Sequence, residues 1–307
     1  MEHGPSIKYL SSEAIDKQKW DNCIDHAPNG LIYAYSYYLD QMARHWSALV
    51  LGDYEAVMPL TWNSKYGVAY LYQPFLCAQL GIFGVNIDRI VVEHFLHAIP
   101  TRFRYWDIYL NHQNVFPLTG IHLYERRNFV LDLNLPYETI FSSYRENIQR
   151  NIKRALQMGC TPTAGFDVEE VISLARSQMR EGGQETEENM ERFRQLYQDL
   201  HSRGQAKTYG ILSVKKELIA SCVFVFSHNR AYYILVGNHP DGRTVGASHA
   251  LIDSFIREHA GSELILDFEG SDIRNLAFFY SSFGARQEKY IGIKANKLPF
   301  YLKWLKE

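Results

Sequence analysis

Two carboxylates and a phenol, Asp267, Glu269 and Tyr280, fall within the stretch from Leu264 to Ala285, LILDFEGSDIRNLAFFYSSFGA. Carboxylates and phenols are residue types that take and give protons in general acid–base chemistry. Leu264 to Phe268 is a short apolar run of strand type, with Gly261 before it and Gly270 closing it. On a strand continued to Glu269, Asp267 and Glu269 point to the same side. Glu269 to Asp272 forms an acidic turn in which Ser271 or Asp272 caps the next helix, with Ser271 placed to meet a substrate. Asn275 to Phe283 reads as that helix, its apolar face carrying Leu276, Ala277, Phe279, Tyr280 and Phe283 and its end marked by Gly284. Glu269 can equally serve as a capping or surface carboxylate, and Tyr280 as a core ring with its hydroxyl at the surface.

Two further groups are suited to anions. Arg243-Thr-Val-Gly246-Ala-Ser248 follows a Gly/Pro-rich turn and precedes a helix with Leu251, Ile252, Phe255 and Ile256 inside. Helix N-termini present unpaired N–H groups and a partial positive charge, so the stretch is either a phosphate cradle or a tight helix start without a ligand. Between Pro136 and Met158 a helical pattern puts Phe141, Tyr144, Ile148, Ile152 and Ala155 on one arc and Arg145, Arg150, Lys153 and Arg154 on the other. That basic face is either solvated or an anion site for a phosphorylated or carboxylated acceptor.

Composition sets the bounds on these readings. A chain of 307 residues with 46% hydrophobic and 14% aromatic residues can build two cores. No apolar run reaches the roughly 20 residues of a membrane span, and MEHGPSIKYL lacks the features of a signal peptide, so a cytoplasmic protein is expected. Cys23, Cys77, Cys160 and Cys222 show no ligand spacing, which implies reduced, mostly buried thiols and no metal. A net charge of −2 gives no global attraction to nucleic acid, so any anion site must be local.

The positioning elements follow a repeated order. Ser6 to Leu10 is strand-like, Ser12-Glu13 caps a first helix, and a Tyr-rich turn feeds a second helix ending near Arg44. Ser47–Leu51, Glu55–Trp62 and Gly67–Tyr72 make an antiparallel meander, followed by a helix to Ala98 and a strand from Trp106 to Leu110. After Pro162 the pattern restarts with helices over Asp167–Arg180 and Glu187–His201, then strands over Ala206–Val214, Glu217–Phe226 and Arg230–Val236. This predicts an α+β chain with largely antiparallel sheets in two domains, residues 1–160 and 161–307. Lys289 to Lys294 closes the second as final strands, and Pro299 to Trp304 is a packing tail.

Tyr280-Ser-Ser-Phe-Gly284-Ala285 resembles the Tyr-x-x-x-Gly-Phe ending of the last helix in GNAT-fold N-acyltransferases, the helix flanking the thiol end of acyl-CoA, with Ala285 replacing the usual aromatic. Asn275-Leu-Ala277 holds the types of the family's Asn-x-x-Ala at shifted spacing. Arg243 to Ser248 resembles its Arg/Gln-x-x-Gly-x-Gly/Ala loop, whose N–H groups receive the pyrophosphate of CoA, with Ser248 where Gly or Ala is usual. The chain as a whole, two halves joined by the basic stretch from Tyr144 to Ala155, resembles the FemABX-related proteins. These are tandem GNAT domains, some acylating amines from acyl-CoA and some adding amino acids from charged tRNA to peptidoglycan precursors.

The resemblance implies an acyl-CoA donor held in the second domain by Leu235, Gly237, Arg243, Val245, Gly246, Ala247 and Ser248, and an amine acceptor, small or part of a cell-wall precursor. The first domain is then structural or acceptor-binding, with the basic face bordering the acceptor's cleft. Glu269, with Asp267 as neighbour or orienter, draws the amine proton; Tyr280 protonates the leaving thiolate; a backbone N–H near Leu235 to Gly237 serves the carbonyl. A tRNA-dependent aminoacyl ligase and a silent tandem GNAT binding module are the alternatives.

Overall fold

The computed structural model describes residues 6–182, 187–270 and 272–298. The chain divides into two compact units, residues 1–126 with 289–307 and residues 127–288. The expected boundary near residue 160 is thereby corrected: the basic helix before it packs into the second unit, burying Ile148, Ile152 and Ala155 in that unit's core. The first unit also recovers the end of the chain.

Unit 1 begins with β1 (Ile7–Ser11), α1 (Lys17–His26) and α2 (Ser36–Met42). The cap of α1 is Asp16, whose carboxylate accepts from the N–H groups of Gln18 and Lys19, and not the expected Ser12, which lies in a 3-10 turn. Then follow β2 (His45–Leu51), β3 (Ala56–Lys65), β4 (Val68–Tyr72), the short β5 (Phe83–Gly84), α3 (Arg89–Ala98) and β6 (Phe103–Tyr109). β1 to β4 pair antiparallel in sequence order, and β6 joins β4 in parallel after the α3 crossover. Trp106, Phe103, Phe95 and Leu71 fill the core between α3 and the sheet.

Unit 2 repeats the plan. β7 (His122–Asp132) crosses the boundary and leads to α4 (Tyr137–Ser142), α5 (Glu146–Gln157), β8 (Thr161–Ala164), α6 (Val168–Gly182) and α7 (Glu187–Ser202). The single helix expected over this region is broken, because the Arg145 N–H leaves the helix ladder and donates to the Ser282 carbonyl at 3.0 Å. A Cβ on Gly284 would stand 2.4 Å from Ser143 Oγ, so the break and the end of the last helix are fitted to each other. β9 (Ala206–Leu212), β10 (Leu218–Ser227) and β11 (Arg230–Asn238) form the second meander. His228 and Asn229, both at positive φ, make its tight turn.

After the meander come α8 (Pro240–Val245), α9 (Ala247–His259), β12 (Ile265–Asp267), α10 (Arg274–Ser281) and β13 (Arg286–Asn296). β12 lies parallel to β11 and antiparallel to β7, while residues Gly292–Asn296 of β13 pair with β6 in unit 1. β13 is one strand where two were expected. Phe224, Phe255, Phe268 and Phe283 dominate the second core. Pro299 to Trp304 lies outside the described residues. Among the described residues no helix is long and apolar enough to cross a membrane. The architecture is mixed α+β with mostly antiparallel pairing, a meander, a helix and a parallel strand occurring once in each unit.

Candidate active site

A cavity of about 250 Å³ opens in unit 2 where β11, α8, α9 and α10 converge. Each element delivers a different kind of group. β11 supplies Tyr233, Val236 and Asn238; α8 supplies Arg243; the junction and first turn of α9 supply Gly246, Ser248 and His249; α10 supplies Leu276, Phe279 and Tyr280, and α6 adds Gln178. Arg243, Gly246 and Ser248, neighbours in the chain, are thus brought together with the distant Tyr280.

The β11 wall is bent by a bulge. Ser221 pairs with Gly237 and Val223 with Ile234, so the single residue Cys222 opposes both Leu235 and Val236. Leu235 takes φ 46°, a left-handed value uncommon for a non-glycine residue. Such a bulge removes one residue from the ladder and re-aims its neighbours. Here Val236 lines the cavity while Leu235 is buried outside the lining. The facing Cys222 is fully buried, and desolvation pushes its thiol well above the ordinary range, which keeps it a neutral thiol.

The stretch read as a phosphate loop is a helical turn instead. Arg243 to Val245 belong to α8, capped at its start by His239, and Gly246 at φ 84° both ends α8 and opens α9. The Gly246 N–H donates to the Gly242 carbonyl and is therefore taken, which leaves Ser248, in the first turn of α9, as the motif residue after Gly246 that lines the cavity. Ser248 Oγ is hydrogen-bonded to Asn238 Oδ1, tying α9 to the end of β11. Ala247 is buried, Val245 packs against the core, and a Cβ on Gly237 would meet the Ala175 nitrogen of α6 at 2.6 Å, so these three lie outside the lining.

Tyr280 is 6% exposed and stacks on Phe268 with ring centroids 4.6 Å apart. Burial first, and then the negative charge of Glu269, raise its hydroxyl above the usual phenol range, so it stays protonated at neutral pH. Glu269 is half-buried and within electrostatic reach of that ring. The expectation that the strand continues to Glu269 is corrected: β12 ends at Asp267, Glu269 adopts φ 61°, and its N–H donates to Asp267 Oδ1 at 2.8 Å. Asp267 therefore acts on Glu269 through the backbone.

The other Asp267 oxygen accepts from Arg230 at 2.7 Å, and Asn128 Nδ2 reaches Oδ1 at 2.9 Å. Arg230 also pairs with Glu288 at 2.9 Å. This buried group is joined to the acidic turn through Asp267, which accepts from the Glu269 N–H. The expected Asp272 cap is absent: Asp272 Oδ1 accepts from the Arg127 N–H, and Ile273 occupies the cap position of α10 without a side-chain bond. Ser271 lies outside the described residues.

His249, Gln178, Tyr233, Val236, Asn238, Gly242, Leu276 and Phe279 complete the lining and are not among the site residues expected from the sequence. Phe279 and Leu276 lay on a helix face read only as core; His249 lay one residue past the motif, a signal that was available; Gln178 has none. Asn151 of α5 reaches His249 Nε2 at 3.3 Å, which selects the tautomer with hydrogen on Nδ1. Burial lowers the His249 pKa to about 4, so the ring is neutral. Among the described residues Gln178 Oε1 is buried without a hydrogen-bond partner, while a weak hydrogen bond to the Gly246 backbone partly opposes the fall in the His249 pKa. Arg145, Arg150, Lys153 and Arg154 are exposed along α5 and outside the cavity, Arg145 with its guanidinium 4.6 Å over the Phe278 ring.

A model of an acetyltransferase (GNAT) domain matches residues 142–272. No curated protein sequence matches the chain. Among solved structures, FemX is similar with a TM-score of 0.66 at 13% identity, covering 97% of this chain and 99% of its own. A conserved protein of unknown function from Bacteroides thetaiotaomicron gives 0.58 at 10% identity, covering 94% and 99%. L-PGS from Bacillus licheniformis gives 0.50 at 10% identity, covering 85% and 87%. At these identities the likeness is one of fold.

Proposed function

We infer from the chain's FemABX-like GNAT fold that it is an N-acyltransferase which moves an acyl group from acyl-CoA to an amine by direct attack. The observation that carries the choice of donor is the chemistry of the cavity in unit 2. Its lining holds one charged side chain, Arg243, and no carboxylate among the described residues, the Glu269 that acts on Tyr280 lying outside it. An aminoacyl donor brings an ammonium group, which is costly to desolvate without an anionic partner. A neutral acyl group has no such need. Gln178 Oε1 offers a spare acceptor among the described residues, which an amide N–H on an arm such as that of CoA satisfies.

In this reading Arg243 and the N-terminal turn of α9 at Ser248 hold the phosphate end of the donor. The bulge at Leu235 and Val236 takes a backbone N–H out of the ladder near the thioester oxygen, which gains charge as the amine attacks. Glu269 accepts the amine proton, and Tyr280, kept protonated by burial, gives a proton to the departing sulfur. The amine nitrogen forms the new bond to the carbonyl carbon as the carbon–sulfur bond breaks. Cys222 has no part in this. Arg150, Lys153 and Arg154 on α5 attract an acceptor that carries negative charge.

The cations on α5 also favour a second reading, an aminoacyl-tRNA donor whose phosphates follow that helix. Release of free thiol from acetyl-CoA in the presence of an amine panel tests the first reading. Amine-dependent thiol release supports it; release absent with acyl-CoA but amide formation with aminoacyl-tRNA would transfer the assignment to the second.

A further inference from the structure

Unit 1 contains its own cavity, of about 380 Å³, which the transfer chemistry does not use. One wall is a chain of hydrogen bonds. Arg102 Nη2 donates to the Tyr9 hydroxyl at 2.5 Å, Tyr9 pairs with Ser47 Oγ at 2.9 Å, and Trp62 Nε1 donates to the same Ser47 oxygen at 3.1 Å. Guanidinium and indole groups only donate. The two hydroxyls between them carry two hydrogens, and their mutual bond uses one, whichever way it runs. The other hydrogen has no acceptor among the described residues. With Tyr9 accepting from Arg102 and donating onward, the orphan is the Ser47 O–H, in a residue only 2% exposed.

The charge of the cavity is unbalanced in the same sense. The Arg102 guanidinium lies 5.4, 5.0 and 4.7 Å from the ring centroids of Tyr9, Trp62 and Phe103, which hold its fork in place. It forms no ion pair with a carboxylate among the described residues. His45 stacks on Trp62 at 4.6 Å, and Arg44 lies beside it in the lining. Two acids also border the cavity. Asp40 is already occupied, by Lys17 at 2.6 Å and by Trp46 Nε1 at 3.0 Å. Glu13, which accepts from Ser12 at 3.1 Å, keeps its negative charge at the rim and opposes a second anionic group on a ligand.

We propose that this cavity binds an organic anion with one compact head group, a carboxylate or a phosphate monoester. The head group accepts from Arg102 and from the Ser47 hydroxyl, completing the donor chain, and an apolar body lies against Tyr9 and Trp62. The site is independent of the donor cavity in unit 2, so its failure and the failure of the acyltransferase reading are separable.

Isothermal titration of the full chain with benzoate and with phenyl phosphate tests it. One or both bind saturably at one site; benzoate alone assigns a carboxylate head and phenyl phosphate alone a phosphate. Arg102→Gln, shown folded by circular dichroism, weakens binding at least tenfold. Ser47→Ala and Arg102→Lys, which disturb the packing less, each weaken it at least threefold, and Arg243→Gln in unit 2 leaves it unchanged. No saturable binding of either anion, or binding that Ser47→Ala and Arg102→Lys both leave intact, overturns the proposal.

Discussion

Gly246 lies against the backbone of Asn151: a Cβ built on this glycine would stand 2.8 Å from the Asn151 carbonyl oxygen. With φ at 84° the residue also occupies a conformation that L side chains rarely adopt. The glycine is therefore required by the packing of α5 on the α8–α9 junction before any ligand is considered. Gly246→Ala is expected to lower the stability of the ligand-free protein by about 1–2 kcal/mol from the backbone conformation alone, and by more with the contact. Urea denaturation without ligand checks this, and an unchanged midpoint would contradict it.

The buried Arg230 group makes a second stability prediction. Asp267 and Arg230 are nearly inaccessible, and Arg230 holds Asp267 and Glu288 together. Asp267→Ala leaves a buried guanidinium short of one partner, for which about 3–5 kcal/mol of destabilisation is typical. Replacing a residue whose sole duty is at the reacting atoms would leave the denaturation midpoint near the parent's. A large loss of stability is the expected outcome.

The roles proposed for Glu269 and Tyr280 are expected to separate kinetically. Glu269→Gln keeps shape and removes the base, so the single-turnover rate falls on the order of 10²–10⁴-fold and the acidic limb of the pH profile flattens. Tyr280→Phe removes only the hydroxyl and costs less, because a thiol leaves readily. A folded Glu269→Gln variant within about threefold of the parent rate would remove Glu269 from the chemistry.

His249 predicts a pH dependence of stability. Burial lowers its pKa from 6.5 to about 4. Between those values the unfolded chain binds the proton and the folded protein does not, so stability present above about 6.5 drains away as pH falls toward 4. The melting temperature of the parent should drop more between pH 7 and pH 4 than that of His249→Gln. Equal drops would show that His249 does not contribute.

Much of this was legible in the sequence because local patterns fixed it. Alternating apolar residues and tight turns marked both meanders, and the repeated order of elements marked the two halves. Arg243, Ser248 and Tyr280 could be picked out because each sits at the end of a recognisable element. What could not be read depended on contacts distant in sequence. Ser282 takes the Arg145 N–H and breaks the helix that periodicity drew as continuous. Asp267 and Glu269 looked like one face of a strand, but Arg230 and Asn128 claim the first carboxylate and the chain turns left-handed at the second. The bulge at Leu235 leaves no mark in composition, and the return of residues 289–307 to unit 1 follows only from the pairing of β13 with β6.

The central claim is that the cavity between β11, α9 and α10 takes the CoA arm of an acyl donor. Calorimetric titration of the full chain with CoA and acetyl-CoA tests it most directly, with Arg243→Gln as the comparison. The account predicts one saturable site for the parent and binding at least tenfold weaker in the folded variant. No binding of either compound by the parent, or equal affinity in parent and variant, would contradict it.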